Sequence, residues 1–264
     1  LNGKTVFSNT VLQPKDQLRV HVTEKKTSDQ IVPVPMDLSV VFEDEHVLVI
    51  DKPAGMPVHP SQGHYENTLA NGIAWYYRNE ATPFVFRAVN RLDRDTSGLV
   101  LLAKNPYSSC VLSDAVKDHT IHREYAAIVS GKTDASGTID LPIARKDGST
   151  IERVCDPERG ETAVTHYRTF AYNKDADISF IRLLLETGRT HQIRVHMKAI
   201  GHPLPGDFLY CPDYRFIDRQ PLHSTYLRFS HPVTGEKLEF SASLPEDMRK
   251  LFPDIKNPSG PVFF

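Results

Sequence analysis

The chain has 264 residues, 31 basic and 33 acidic side chains for a formal net charge of −2, and 40% hydrophobic residues. That length buries a core without help from metals or cross-links, and the composition excludes both a disordered chain and one built from uncharged spans of about 18 or more apolar residues. Cys110, Cys155 and Cys211 stand far apart with no CxxC spacing. This excludes a disulfide framework or thiolate zinc site and points to a reducing cytoplasm.

In chain order, residues 1–22 read as two short strand-like stretches, with Asn2-Gly3 as turn chemistry and alternation at Leu18, Val20 and Val22. Charged and polar residues from Glu24 to Asp29 and the Pro33–Pro35 run read as an extended linker, so residues 1–36 form an appendage and the main domain covers 37–264. Val40–Phe42 and Val47–Ile50, separated by three acidic residues, predict a hairpin. Leu69, Ile73 and Tyr77 recur at helical spacing, and Asn105-Pro106 opens a second helix carrying Val111, Leu112 and Ala115. Strands are predicted at Tyr125–Val129, Thr165–Phe170 and Ile178–Leu185, followed by a helix through Ile193, Met197 and Ile200 with Thr190 as N-cap and Gly201 as its stop. Tyr226–Ser230 and Lys237–Ser241 form a hairpin turning at Thr234-Gly235. Many hairpin-connected strands with few helices predict an α+β fold around a mixed, largely antiparallel sheet.

Three segments carry candidate chemistry. Asn90-Arg91-Leu92-Asp93-Arg94-Asp95-Thr96-Ser97-Gly98 abuts the apolar run Leu99–Ala103, so its charges sit on a loop aimed by a core strand. If extended there, Arg91 and Asp93 share a face. Asp93 reads as nucleophile, general base or half of a structural ion pair, the last being the commonest role for such a carboxylate, and Asp95 is too near on one loop to be its glycosidase partner. In the second segment, Gly188 to His196, the cations Arg189 and His191 near a helix N-terminus oppose its dipole and call for an anionic ligand. His191 and His196 lack the i, i+4 spacing of a helical metal pair. Tyr125, in the third segment His122-Arg123-Glu124-Tyr125, reads on pattern alone as core. Each basic cluster, Arg87-Arg91-Arg94 and Arg189-His191-Arg194-Lys198, is either a solvated face or one wall of a positive cleft.

Taken together, NRLDRDTSGLVLLAKN at 90–105, REYAAIVSG at 123–131 and GRTHQIRVHMKAIGHPLPGD at 188–207 resemble the RluA branch of the pseudouridine synthases. The resemblance extends to VVFEDEHVLVIDKPAGMPVHP at 40–60 and LHSTYLRFSHPVTGEKLEFSASLP at 222–245. It implies a sheet in two lobes with a central RNA-binding cleft. It also implies Asp93 as the essential carboxylate, Tyr125 as the active-site Tyr, Arg194 as the basic partner of Asp93 and Arg91 as the residue that displaces the target base. Arg189, His191 and Gln192, in the same motif, are expected to bind substrate. Residues 1–22 resemble the closing strands of an S4-type RNA-binding module. Asn90, Arg123 and Glu161 depart from the family's usual His, Lys and Lys, altering contacts around the base and the RNA backbone.

Pseudouridine formation breaks the N1–C1′ bond and joins C5 to C1′ with no atom or electron gained, so neither cofactor nor metal is expected. The expected partner is structured RNA, ribosomal RNA of the large subunit before transfer RNA, and not a membrane; the chain is expected to act as a monomer. A non-catalytic S4-type RNA-binding protein and an N-glycoside hydrolase using the same Asp93 are the rival readings, told apart by turnover and by release of free uracil.

Overall fold

The protein is described by a computed structural model covering residues 1–21, 28, 31–61, 63–79, 84–255 and 260–263. A hairpin of β1 (Ser39–Glu43) and β2 (Val47–Lys52) leads to α1 (Leu69–Tyr76), β3 (Ser97–Ala103) and α2 (Pro106–Lys117). Then come β4 (His122–Ser130), β5 (Ser136–Asp140), β6 (Ile143–Arg145), β7 (Arg153–Cys155), β8 (Val164–Asn173) and β9 (Ile178–Leu185). The chain continues through α3 (Gln192–Ala199), β10 (Leu222–Ser230), β11 (Lys237–Ser241) and α4 (Glu246–Leu251).

The main sheet runs β1-β2-β3-β10-β4-β9-β8-β5, with β11 also on β10. Its pairings are antiparallel except β3 with β10. Both faces of β2 and β3 are covered, which is why VLVIDK and SGLVLLA are near-continuous apolar runs. Leu48, Ile50, Val100 and Leu102 join Tyr125, Ile181 and Met197 in one core. Val47, Val49, Leu99 and Leu101 point the other way, to Leu112 of α2 and Phe229. Full burial of each such side chain contributes roughly 1.5–3 kcal/mol, and the strands are held mainly by this.

The architecture turns on one edge of β10. Its start pairs with β3 (His223 with Ser97, Ser224 with Gly98), while Tyr226 to Ser230 pair on the same edge with β11. β3 must therefore leave β10 after two residues, and the sheet opens into a β1-β2-β3 half and a β4-β9-β8-β5 half. Gly98 is essential to that close approach. Its φ is +107°, and a Cβ there would run into the Ser224 backbone. The loop before β3 is thereby fixed at the junction of the halves.

The α+β, largely antiparallel architecture agrees with the sequence reading, as do β1, β2, α1, α2, β4, β8, β9 and the β10–β11 hairpin. Three features differ. Residues 1–21 keep the Asn2-Gly3 turn, closed by Lys4 N–H to Leu1 O, but contain no strand. Leu18 and Val20 remain exposed because no third strand or helix offers them an apolar partner. Val22 and residues 24–27 and 29 lie outside the described residues. The supposed linker is a docked segment from residue 31: Val34 N–H donates to Asn71 O, and the Asn71 amide donates to Val32 O. Finally, β5, β6, β7 and α4 had no usable periodicity, being three to six residues long.

Candidate active site

The loop before β3 is tied down from three sides. Asn90 donates to Leu99 O and accepts from Leu101 N–H at 2.7 Å, clamping the loop to the strand it feeds. Lys52, fully buried at the end of β2, donates to Pro53 O and Met56 O at 2.8 Å and to Arg94 O at 3.1 Å. Burial pushes its amine down to about 7, a fall that Asp95 and Asp93 partly oppose. Arg219 donates to Asp95 O at 3.0 Å. The turn falls at Asp93–Thr96, closed by Thr96 N–H to Asp93 O. Leu92 is buried in the core between Arg91 and Asp93, and all three residues line a cavity of about 690 Å³. Asp95 instead chelates Arg94 and lines a different cavity, so it is not a second carboxylate for the same bond.

The opposite wall is the start of α3. Arg194, 2% exposed, donates to Asp93 Oδ2 at 2.8 Å and forms a two-pronged pair with fully buried Asp207 at 2.6 and 2.8 Å. Burial opposes its charge, but these bonds more than offset it and hold the guanidinium firmly protonated. It also lies 5.0 Å from the centre of the Tyr210 ring. His191, and not Thr190, occupies the N-cap, in a left-handed conformation with φ 59° and no side-chain cap. A non-glycine residue held there is strained, and its neighbours hold it in place. Arg153 N–H donates to Tyr210 Oη, and that hydroxyl shares a hydrogen bond with His191 Nδ1 at 2.9 Å. The ring's other nitrogen, Nε2, faces Asp93 Oδ1 at 3.9 Å. Burial lowers the His191 pKa, partly offset by Asp93, so the ring is neutral near pH 7.

Tyr125 and Arg123 supply the cavity floor from one face of β4. Burial raises the Tyr125 pKa and Asp93 adds to this, while Arg123 and a hydrogen bond to Ser224 oppose it, so the phenol is neutral. Arg91 is exposed and makes no hydrogen bond or ion pair among the described residues. Arg189 lines the same cavity but is paired with Glu161 at 2.5 Å and donates to Thr162 O. Gln192 stands behind the wall. Its oxygen accepts from Thr187 Oγ1 and Arg189 N–H, and its amide donates to Val164 O and Thr165 Oγ1, leaving nothing free for substrate. Its role here is to brace the turn into α3.

Asp207, Tyr210 and Lys52 were not singled out from sequence. Asp207 follows Pro205-Gly206 and reads as an ordinary turn acid; only its two-pronged pair with Arg194 reveals it. Among the described residues no three His, Cys, Asp or Glu side chains are placed to hold a metal ion. No helix there is long and apolar enough to cross a membrane.

The site thus presents a half-open carboxylate fixed by a buried cation, a neutral phenol beside it, and a cavity with arginines at its rim. A family profile described as RNA pseudouridylate synthase matches residues 46–199. The Bacillus subtilis (strain 168) protein named "Uncharacterized RNA pseudouridine synthase YjbO" is 44% identical over 252 residues, 95% of this chain and 88% of that protein. The Zymomonas mobilis protein named "Ribosomal large subunit pseudouridine synthase D" is 42% identical over 240 residues, 83% of this chain and 73% of that protein. Among solved structures, human RNA pseudouridylate synthase domain containing 1 superposes with a TM-score of 0.65 at 26% identity, covering 78% of this chain and 83% of that one. The chain belongs to the RluA branch of the RNA pseudouridine synthases and is an isomerase acting on RNA.

Proposed function

We propose that this enzyme isomerises one or more uridines of large-subunit ribosomal RNA, with Asp93 as the catalytic carboxylate. The observation that carries the catalytic assignment is the 2.8 Å bond from buried Arg194 to Asp93 Oδ2, on a loop pinned by Asn90 and Lys52. A carboxylate so held is aimed, and its side chain stays partly open to the cavity. Relatives named as ribosomal large subunit pseudouridine synthase D support the choice of RNA.

In a stacked helix the reacting atoms are out of reach, so the target nucleotide is extruded at a cost of a few kcal/mol. Arg91, exposed and unpaired, fills the vacated place. The uracil then lies against Tyr125 while Asp93 engages the ribose–base centre as the N1–C1′ bond breaks. After C5 joins C1′, the C5 proton must leave, and the Tyr125 hydroxyl relays it, accepting that proton as it passes its own to water in the cavity. Arg194 holds Asp93 in position, and Asp207 keeps Arg194 in place.

The test is to map pseudouridine in large-subunit ribosomal RNA from cells lacking the gene, complemented with wild type or Asp93→Asn. Wild type restores the modification, and the purified variant, still folded, loses more than about 10³-fold in single-turnover rate. Retention within about tenfold would remove Asp93 from the chemistry, since a nucleophile's loss costs far more. Restoration only in transfer RNA would overturn the choice of substrate.

A further inference from the structure

Arg123 is the one cation of the cavity floor that the steps above leave idle. It is 8% exposed, yet among the described residues its guanidinium has no carboxylate, no carbonyl and no hydroxyl partner. Its Nε is fully enclosed and unbonded. A buried charge without a counter-ion is destabilising, and buried donors without acceptors add to the cost. The two other deeply buried arginines, Arg182 and Arg194, each hold a carboxylate at 2.6–2.8 Å, which makes Arg123 the exception in the same fold.

Geometry gives the exception a direction. Arg123 and Tyr125 alternate onto the same face of β4, about 7 Å apart along the strand. Both line the cavity that Asp93 and Arg91 enter. The Nη groups lie over Gly188, where a Cβ would come within 3.4 Å of Nη1, so the missing side chain leaves the fork uncovered. Resting on the reading that Tyr125 faces the extruded uracil, we infer that Arg123 binds the phosphate group of that same nucleotide, as a counter-ion the protein withholds until substrate arrives. The guanidinium fork matches phosphate oxygens two at a time, and for a side chain only 8% exposed such a charge-assisted pair is strong. A uracil carbonyl would also accept from it, but would leave the charge unneutralised.

The test uses uridine, 3′-UMP, 5′-UMP and inorganic phosphate as probes, with binding followed by NMR titration of the intact chain. One of the two nucleotides binds wild type at least about tenfold more tightly than uridine, the equivalent of about 1.4 kcal/mol. Arg123→Met abolishes that preference, and Arg123→Lys keeps part of it, because the charge survives and the fork does not. Asp93→Asn leaves the preference intact, so this result stands or falls separately from the catalytic assignment, which is read from turnover. Arg123→Met should also melt higher than wild type, by about 2–4 °C, since a buried charge without a counter-ion has been removed. A structural arginine would instead lower the melting temperature. Equal affinity for uridine and both nucleotides, a nucleotide preference that survives in Arg123→Met, or no nucleotide binding at millimolar concentration would each overturn the inference.

Discussion

Two buried arginines serve one site, Arg123 lining its cavity and Arg194 standing behind Asp93, and they differ in almost everything. Arg194 is saturated, with Asp207 and Asp93 on its guanidinium and Tyr210 beside it. Arg123, nearly as buried, has no partner among the described residues. The wall that positions the chemistry is finished before substrate arrives, and the surfaces that face RNA are left incomplete. Preorganised charge assists a transition state without reorganising at the moment of reaction, whereas unmet charge at a binding surface is met by the ligand. Arg91 extends the unfinished side to the rim.

The comparison breaks most visibly at Asp207. Asp207→Asn removes one charge from a buried pair and leaves Arg194 with Asp93 alone, which should destabilise the chain by about 3–5 kcal/mol. A second change, Arg194→Met, made in that background should recover part of the lost stability, because an unpaired buried charge costs more than its absence. It should not recover turnover, since Asp93 has then lost its cation. Chemical denaturation of the two single variants and the double variant measures the first effect, and single-turnover assays the second. Additive stability losses would show that Asp207 and Arg194 do not act as a unit.

Arg91 sharpens the same contrast on the unfinished side. Arg91→Met should leave stability within about 0.5 kcal/mol of wild type, as an exposed side chain with no partner contributes little. On a base-paired target it should slow turnover by about 10- to 100-fold, a share of the few kcal/mol that extrusion requires. With the target uridine already unstacked, the defect should shrink to within about threefold, because that cost is largely absent. Equal defects on paired and unpaired versions of one RNA would remove Arg91 from base displacement.

Much of this contrast was legible in sequence, and the illegible part has a physical cause. The Leu99–Ala103 run announced a buried strand, and the motif around Asp93 gave its loop. The partner of Arg194 was hidden because Asp207 lies 13 positions away, beyond a helix and a Pro-Gly turn, and pairing over that distance leaves no periodic trace. Gln192 and Arg189 show what a motif does not reveal. A polar residue inside a functional motif reads as a substrate contact, yet Gln192 is consumed by four internal hydrogen bonds and Arg189 is held by Glu161. At the N-terminus, alternation at Leu18 and Val20 was real but had nothing to pack against, and pattern without a partner makes no strand.

Glu161 offers the smallest effect and tests whether the unfinished surface is adjustable. It is 70% exposed at its side chain and holds Arg189, itself 40% exposed, at 2.5 Å. A pair so open to water is worth about 0–1 kcal/mol, so Glu161→Gln should change stability by less than that. Arg189 also donates to Thr162 O, a bond the substitution leaves alone, so the guanidinium stays at the rim but without a counter-charge. It is then free to meet an RNA phosphate, while one source of repulsion at the cleft mouth is gone. Affinity for substrate RNA should rise a few-fold at low salt, and the slope of log K against log salt should steepen by about 0.7–0.9, the contribution of one additional phosphate contact. The gain should fade as ionic strength rises, because exposed charges are screened beyond about 8–10 Å at 0.10–0.15 M salt. Filter-binding titrations across salt concentrations measure both quantities. An unchanged slope would mean that Arg189 faces no phosphate even when released.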